Sequence, residues 1–334
     1  MSIAMKSIHV VSARTAVVAF LLLAALLAPA TAHAQRREYK PPDDINFRKA
    51  TIMSEGVRMA ADIYSSKASG DAKLPTIVMS HGWGGQASLL RPEALAFARA
   101  GYLVVAFDYR GWGASDSRVI LTSPPSDERP GGRFTAEVQE VREVVDPLDQ
   151  ANDLLNALHW VQAEPQCDID HIGLWGSSYS GGHVIYAAAR DPRVKATVSQ
   201  VPAMDSRFVV LTDAEREKTF RQATQRARGE IGYPPPGARE VGNLKGAPIR
   251  EKLINYVPLN EVEKAAGCAM LFVLAENEEL FDNREHGIAA HERAKGPKKL
   301  VIIPKIKHYG VYLEARDAAL KESLAWFDEQ LKKK

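Results

Sequence analysis

Ile172-Gly-Leu-Trp-Gly176-Ser-Ser178-Tyr-Ser180-Gly-Gly182 is a short apolar run that stops abruptly in small residues around a serine, and a helix-forming run, His183 to Arg190, follows at once. A strand that turns sharply into a helix, holding one hydroxyl at the tip of the turn, is written this way. The bend strains the backbone of the serine, so the residues two before and two after it must be small. For Ser178 these are Gly176 and Ser180, whereas for Ser177 the residue two before is Trp175, which would collide. Ser180 also has small neighbours, Ser178 and Gly182, but it lies two residues deeper in the predicted helix. Ser178 is therefore the candidate nucleophile. A competing reading is a glycine-rich turn cradling a phosphate at a helix N-terminus. No Gly-Lys-Ser/Thr follows, and the spacing is not that of a dinucleotide loop. Gly113-Ala-Ser115-Asp-Ser117 also sets serine among small residues, but in a loop that enters no apolar helix. The pattern without its context carries little.

Around this turn, apolar β-rich runs alternate with helical patterns. Arg58–Tyr64 predicts an early strand with period-two alternation, while Pro75–Ser80, Tyr102–Asp108, Ile172–Trp175 and Val194–Val201 are continuous apolar runs. Such runs suit strands buried on both faces. Met270–Ala275 and Lys299–Ile303 repeat the type. Helical patterns fall at Pro92–Ala100, Pro147–Gln162, Tyr179–Arg190, Arg284–Ala294 and Leu313–Leu331. The alternation predicts an α/β fold with a mostly parallel sheet and helices on both faces, its ligand site beyond the carboxyl ends of the strands. Two connections are too long for turns: Gly111–Asp146, and Ala203–Gly267, which holds a charged helical run at Thr212–Arg228 and a second piece near Ile249–Tyr256. Both are expected to overhang the pocket, the segment 203–267 as a small helical cap insertion.

A serine hydroxyl needs a base, and the base needs a third group to fix its tautomer. Of nine histidines, His9 and His33 lie in the leader described below. His159, His171, His183, His286 and His291 fall in or beside helices or at a strand entry, away from the catalytic edge. His81 precedes a glycine-rich turn. His308 follows the last strand, on a loop before the terminal helix, and is the candidate base. The acid is expected after Met270–Ala275, where Glu276-Asn-Glu278-Glu279-Leu-Phe-Asp282 supplies four carboxylates. Glu278 fits the expected distance best, with Glu279 and Asp282 as alternatives. Acyl transfer also needs donors for an oxyanion, and losing one commonly lowers the rate by ~10²–10³. The backbone N–H of Tyr179 is one candidate, and that of Trp83 in Ser80-His81-Gly82-Trp83-Gly84-Gly85 is the other.

The chain of 334 residues opens with Lys6 and Arg14, then the uncharged run Ala16–Ala28, Pro29 and Ala32-His33-Ala34. This order predicts a secretory signal peptide, cleaved after Ala34, rather than a membrane span, which needs roughly 20 apolar residues. Its removal takes two cations and no anion, leaving 41 against 41 in the mature chain, 35–334. A neutral protein has no electrostatic reason to seek nucleic acid or anionic membrane. The remaining length suits one large domain. Cys167 and Cys268 each precede a predicted strand at the same end of the sheet, as a disulfide or as two buried thiols. Export would permit the bridge.

His81-Gly-Trp-Gly-Gly, Asp108-Tyr-Arg-Gly-Trp-Gly-Ala-Ser, Gly-Ser-Ser178-Tyr-Ser-Gly-Gly and His308 together resemble the α/β-hydrolase superfamily, over roughly Ile52 to Leu331. Gly-x-Ser-Tyr-x-Gly is similar to the X-Pro dipeptidyl-peptidase and cocaine-esterase branch, and the single compact domain to dienelactone-hydrolase-type esterases. The resemblance implies a nucleophile at Ser178, a base at His308, an acid between them, and a structural role for Asp108–Arg110 beside the site. Two departures stand out. Glu278 occupies a position where Asp is commoner, and too little chain follows His308 for the β-sandwich of the peptidase members. The expectation is an exported, periplasmic or secreted serine hydrolase of small carboxylic esters, needing no metal or organic cofactor and holding no stable membrane contact after cleavage. His286 and His291 lie five apart on one helix, which is not the two-histidine zinc spacing. An exopeptidase or amidase with the same residues is one alternative; a catalytically silent binding protein of this fold is another.

Overall fold

The structure, a computed structural model, describes residues 39–210 and 212–332. The expected signal peptide, with its expected cleavage after Ala34, lies outside the described residues. Among those described, no helix is long and apolar enough to cross a membrane.

Eight strands form the central sheet: β1 (Ile45–Ser54), β2 (Val57–Ser66), β3 (Leu74–Ser80), β4 (Leu103–Phe107), β5 (Cys167–Ser177), β6 (Val194–Gln200), β7 (Ala269–Ala275) and β8 (Lys298–Ile303). Their order is β1-β2-β4-β3-β5-β6-β7-β8. The β1/β2 and β2/β4 pairs are antiparallel and all the others parallel. β4 and β7 are buried at every residue, which is why they read as unbroken apolar runs. β1 was not predicted. It is an edge strand exposing Asn46, Lys49 and Thr51, so it carries no apolar run. It joins β2 through Glu55 and Gly56, both at positive φ (47° and 86°), the geometry of a two-residue hairpin loop.

The α-helices among the described residues are α1 (Arg91–Arg99), α2 (Pro147–Val161), α3 (Tyr179–Ala188), α4 (Asp213–Ala227), α5 (Arg250–Leu253), α6 (Gly287–Arg293) and α7 (Arg316–Leu331). On one face α1 and α7 meet through Phe97 and Phe327, ring centroids 5.7 Å apart. α7 lies so close to β5 that a Cβ on Gly173 would stand 2.8 Å from Phe327 and Leu331. The alternate residues of β5, Ile172 and Leu174, share the opposite core with Leu154 and Leu158 of α2 and Val184 of α3. α2 starts where the Asp146 side chain accepts from Leu148 N (3.1 Å) and Asp149 N (3.2 Å), with Pro147 in the first turn. α4 starts in a capping box between Thr212 and Glu215.

The two long connections differ in what they do. Segment 203–267 contains α4 and α5 and reaches the cavity described below. Segment 111–146 does not line that cavity, contrary to the expectation that both overhang it. It forms a ribbon (Arg118–Leu121 with Val138–Val141) and then braces the other segment. Val144–Val145 pairs with Ala247–Pro248, Lys252 Nζ donates to Asp146 Oδ2 at 2.5 Å, and Glu143 is ion-paired with Lys245. The disulfide is also absent: Cys167 and Cys268 are free and buried. β6 runs between β5 and β7, spacing them by about 10 Å, beyond bridging distance. Burial pushes the Cys268 thiol up to about 12.

Asp153 on α2 is completely buried and accepts from Ser54 Oγ (2.6 Å), Arg110 N (2.9 Å) and Arg110 Nε (2.8 Å). The guanidinium thus ties the end of β1 and the chain after β4 to α2. Removing one partner of a buried pair typically destabilises by about 3–5 kcal/mol, because the other charge is left uncompensated. Arg110→Met should lower stability by about that amount in urea unfolding, and adding Asp153→Leu should restore much of it.

Candidate active site

The carboxyl ends of β3, β5, β6, β7 and β8 lie along one edge of the sheet, and every predicted site residue departs from that edge. Backbone hydrogen bonds carry the strand order past the strand ends. Ser178 N donates to Gln200 O (2.8 Å), Val201 N to Val273 O (2.7 Å), and Asn277 N to Ile306 O (2.9 Å). Loops that would otherwise splay are held in register.

Ser178 caps α3 at φ 58°, ψ −122°, a region that costs a non-glycine residue about 1–3 kcal/mol unless its surroundings impose it. The surroundings are tight. A Cβ on Gly176 would lie 2.4 Å from Ser180 O, and one on Gly82 would lie 2.8 Å from Ser177 O and 2.9 Å from Ser178 Cβ. The small-residue rule that singles out Ser178 is thus a clearance between the two arms of the turn and the loop after β3. Ser180, the other serine in the motif, points inward and is completely buried against Ser80 and Tyr109.

The structure brings Ser178, His308 and Glu278 together. Ser178 Oγ lies 2.9 Å from His308 Nε2, and His308 Nδ1 lies 2.9 and 2.8 Å from the two Glu278 oxygens. The His308 and Glu278 side chains are 1% and 2% exposed, so water does not dilute their interaction. With Nδ1–H donating to Glu278, Nε2 is the acceptor facing the serine hydroxyl.

The two alternative acids are placed elsewhere. Glu279 accepts the backbone N–H of His308 at 2.8 Å, and Asp282 pairs with Arg284 at 2.5 Å, which with backbone bonding holds its carboxyl down at about 2. Glu276 accepts Lys305 N at 2.7 Å. One loop thus spends one carboxylate on the imidazole and two on the backbone that carries it. A second tie comes from Tyr312, four residues after the histidine. Its hydroxyl lies 2.6 Å from Ser177 Oγ, which also accepts from Gln200 Nε2 at 3.0 Å. Nothing in the sequence singles out Tyr312, because its partner lies on a different strand.

Tyr179 N is at the first position of α3, where helix N–H groups lack intrahelical partners. The loop carrying Trp83 N approaches the serine closely enough to require Gly82. The Trp83 indole donates to Gly246 O (3.0 Å) and meets the Tyr179 ring edge-on at 5.1 Å. Asp108 accepts from Ala87 N (2.6 Å) and Ala114 N (2.9 Å), so it ties the end of this loop to the loop after β4.

A cavity of about 480 Å³ opens beside Ser178, lined by Trp83, Tyr179, Phe208, Phe281 and Tyr309 with Val241, Leu244 and Leu280. Two histidines set aside by position are nearer than expected. His286 stacks on Phe281 (4.4 Å), whose ring meets His308 at 5.6 Å, and its Nδ1 accepts from Met204 N at 2.8 Å. His183 lies behind Tyr179, bonded to Tyr256 Oη at 2.6 Å.

Residues 55–213 match the family model of the X-Pro dipeptidyl-peptidase (S15) family, and residues 147–334, more than half of the chain, match that of the prolyl oligopeptidase family. An uncharacterized 31.7 kDa protein from the traX-finO intergenic region of Escherichia coli is 34% identical, covering 84% of this chain and 98% of its own. Thiohydrolase aneE of Aspergillus aculeatus is 29% identical over 51% of this chain and 45% of its own. The crystal structure of the α/β hydrolase GrgF from Penicillium superposes with a TM-score of 0.68 at 21% identity, covering 86% of this chain and 99% of that one.

Burial holds His183 down at about 3 and His286 at about 4. Both are neutral in the folded protein, while the unfolded chain takes up protons near 6.5. Their contribution is therefore complete above pH ~6.5 and is lost as pH falls towards 4, up to about 3 kcal/mol for His286. Urea midpoints should fall across that window, and His286→Asn should flatten the fall.

Proposed function

The chain belongs to the α/β-hydrolase superfamily, in the prolyl oligopeptidase family of esterase- and peptidase-type hydrolases, and from that premise we propose that it is an exported serine hydrolase of carboxylic esters. The observation that carries the reading is the unbroken line from Glu278 through His308 to Ser178, ending at the mouth of an apolar cavity.

In the first step Ser178 Oγ bonds to the carbonyl carbon while its proton passes to His308 Nε2. The imidazolium that forms is stabilised by Glu278 through Nδ1–H. The carbonyl oxygen takes up the negative charge, facing the N–H groups of Trp83 and Tyr179. Collapse breaks the carbon–oxygen bond to the alcohol, which receives the proton from Nε2. Water, deprotonated by the same nitrogen, then attacks the acyl-serine, releasing the acid and restoring the hydroxyl.

Ester cleavage is favoured over removal of dipeptides by the lining of the cavity. A peptide amino terminus is cationic and needs a carboxylate, and among the described lining residues none carries a charge. Glu278 and Glu279, next to the lining residue Leu280, are committed to His308. A thioester is attacked by the same route, and the similarity to a protein named a thiohydrolase favours testing it.

The purified protein should be labelled at Ser178 by a fluorophosphonate and should hydrolyse p-nitrophenyl esters far faster than aminoacyl-anilides. Ser178→Ala should abolish both labelling and turnover, and Glu278→Gln should reduce kcat by about 10⁴, as for other orienting carboxylates. Unchanged ester turnover in Ser178→Ala rejects the mechanism. Export is tested separately: expressed from its full reading frame in a bacterium, the protein should accumulate outside the cytoplasm with Gln35 as its first residue by mass spectrometry.

A further inference from the structure

The cavity beside Ser178 is divided by the chemistry of the two sides of the serine. A leaving group departs towards the imidazole that protonates it, and the acyl group stays on the side of the oxyanion donors. Phe281 and Tyr309 are the rings nearest His308, at 5.6 and 5.2 Å, so with Leu280 they form the leaving-group side. Trp83 and Tyr179 carry the proposed oxyanion donors, and the Trp83 indole is anchored to Gly246 O at 3.0 Å. That anchor fixes it beside the inserted segment, whose turn Val241-Gly242-Asn243-Leu244 lines the same cavity. The turn is closed by Leu244 N donating to Val241 O (3.0 Å), with Gly242 at φ 52°. Val241 and Leu244 are half-buried and packed against the core, so their apolar side chains form a fixed wall.

Resting on the hydrolase reading above, we propose that the Val241–Leu244 turn and Trp83 form an acyl pocket selective for neutral medium-chain acyl groups. Even shared with the leaving group, the cavity of about 480 Å³ exceeds what an acetyl group requires. Its described lining offers no charge to an anionic or cationic acyl chain, and Asn243 supplies its one side-chain amide. An apolar chain entering it leaves water and meets no unpaired charge, whereas a chain ending in carboxylate would have to be desolvated without a partner. The discrimination therefore comes from the insertion and the Trp83 ring rather than from the residues of the relay.

The test is kcat/KM for a p-nitrophenyl series from acetate through butyrate and hexanoate to octanoate, with the hemisuccinate as the charged counterpart of butyrate. The expected result is a rise of about fourfold per added methylene, the scale set by burying each CH₂, up to hexanoate or octanoate. The hemisuccinate should be turned over at least tenfold more slowly than butyrate. Leu244→Asp should lower the hexanoate-to-acetate ratio by tenfold or more. Leu244→Ala, a smaller change at the same wall, should lower it about threefold even if the aspartate variant fails to fold. A preference for acetate or for the hemisuccinate, with Ser178 still labelled by fluorophosphonate, overturns the acyl pocket and leaves the hydrolase reading standing. An unchanged ratio in a folded Leu244→Ala also overturns it. Absence of labelling overturns both.

Discussion

The arrangement depends on one residue held where its backbone does not want to be. Ser178 sits at positive φ because the strand ends in hydrogen bonds to β6, the helix begins one residue later, and nothing larger than hydrogen fits on Gly82 or Gly176. Relaxing the serine would require moving β5 against β6, or α3 against the sheet, and both are locked in the core. The strain is thus sustained by packing across the whole domain, which is the condition under which such conformations persist. Its effect is local: the hydroxyl is aimed outward, and the first free N–H of α3 lies beside it.

The second requirement is that an imidazole from the last loop arrive at the same point. Here the structure relies on carboxylates rather than on packing alone. Glu276 and Glu279 accept backbone N–H groups of the loop, Glu278 takes the ring, and the Tyr312 hydroxyl ties the same loop back to Ser177. Carboxylate bonds to backbone N–H are short and directional. They fix where the loop runs without filling the cavity in front of it. The aromatic layer behind, Phe281 and His286, closes the rear of the site and stays uncharged because burial disfavours the imidazolium.

How much of this was legible follows from which interactions are local. The strand-turn-helix around Ser178 is written in contiguous residues, and the steric rule could be applied position by position. Strands β3 to β7 were visible because burial on both faces demands unbroken apolar runs, and β8 reads as one although it is an edge strand that leaves Ile302 exposed. The edge strand β1 was not, because half of it faces solvent. His308 could be found by elimination, although His183 and His286 lie closer to the site than their helical positions suggested. The loop of four carboxylates gave three candidates, and only the fold separates the one that meets the imidazole from the one that meets its backbone. Tyr312, Gln200 and the bracing role of segment 111–146 depend on contacts between distant stretches, and no periodicity encodes them. The cysteines were undecidable for the same reason: their spacing depends on which strand runs between them.

The clearance around Gly82 reaches beyond the present chain. Since its missing side chain is what leaves room for Ser178, the loop after β3 and the turn after β5 are complementary shapes, cut to fit each other and separated by nearly a hundred residues. A descendant sequence cannot thicken either one alone, and neither can be transplanted from a relative as a single cassette. Recombination or directed evolution at this site must exchange the two segments jointly.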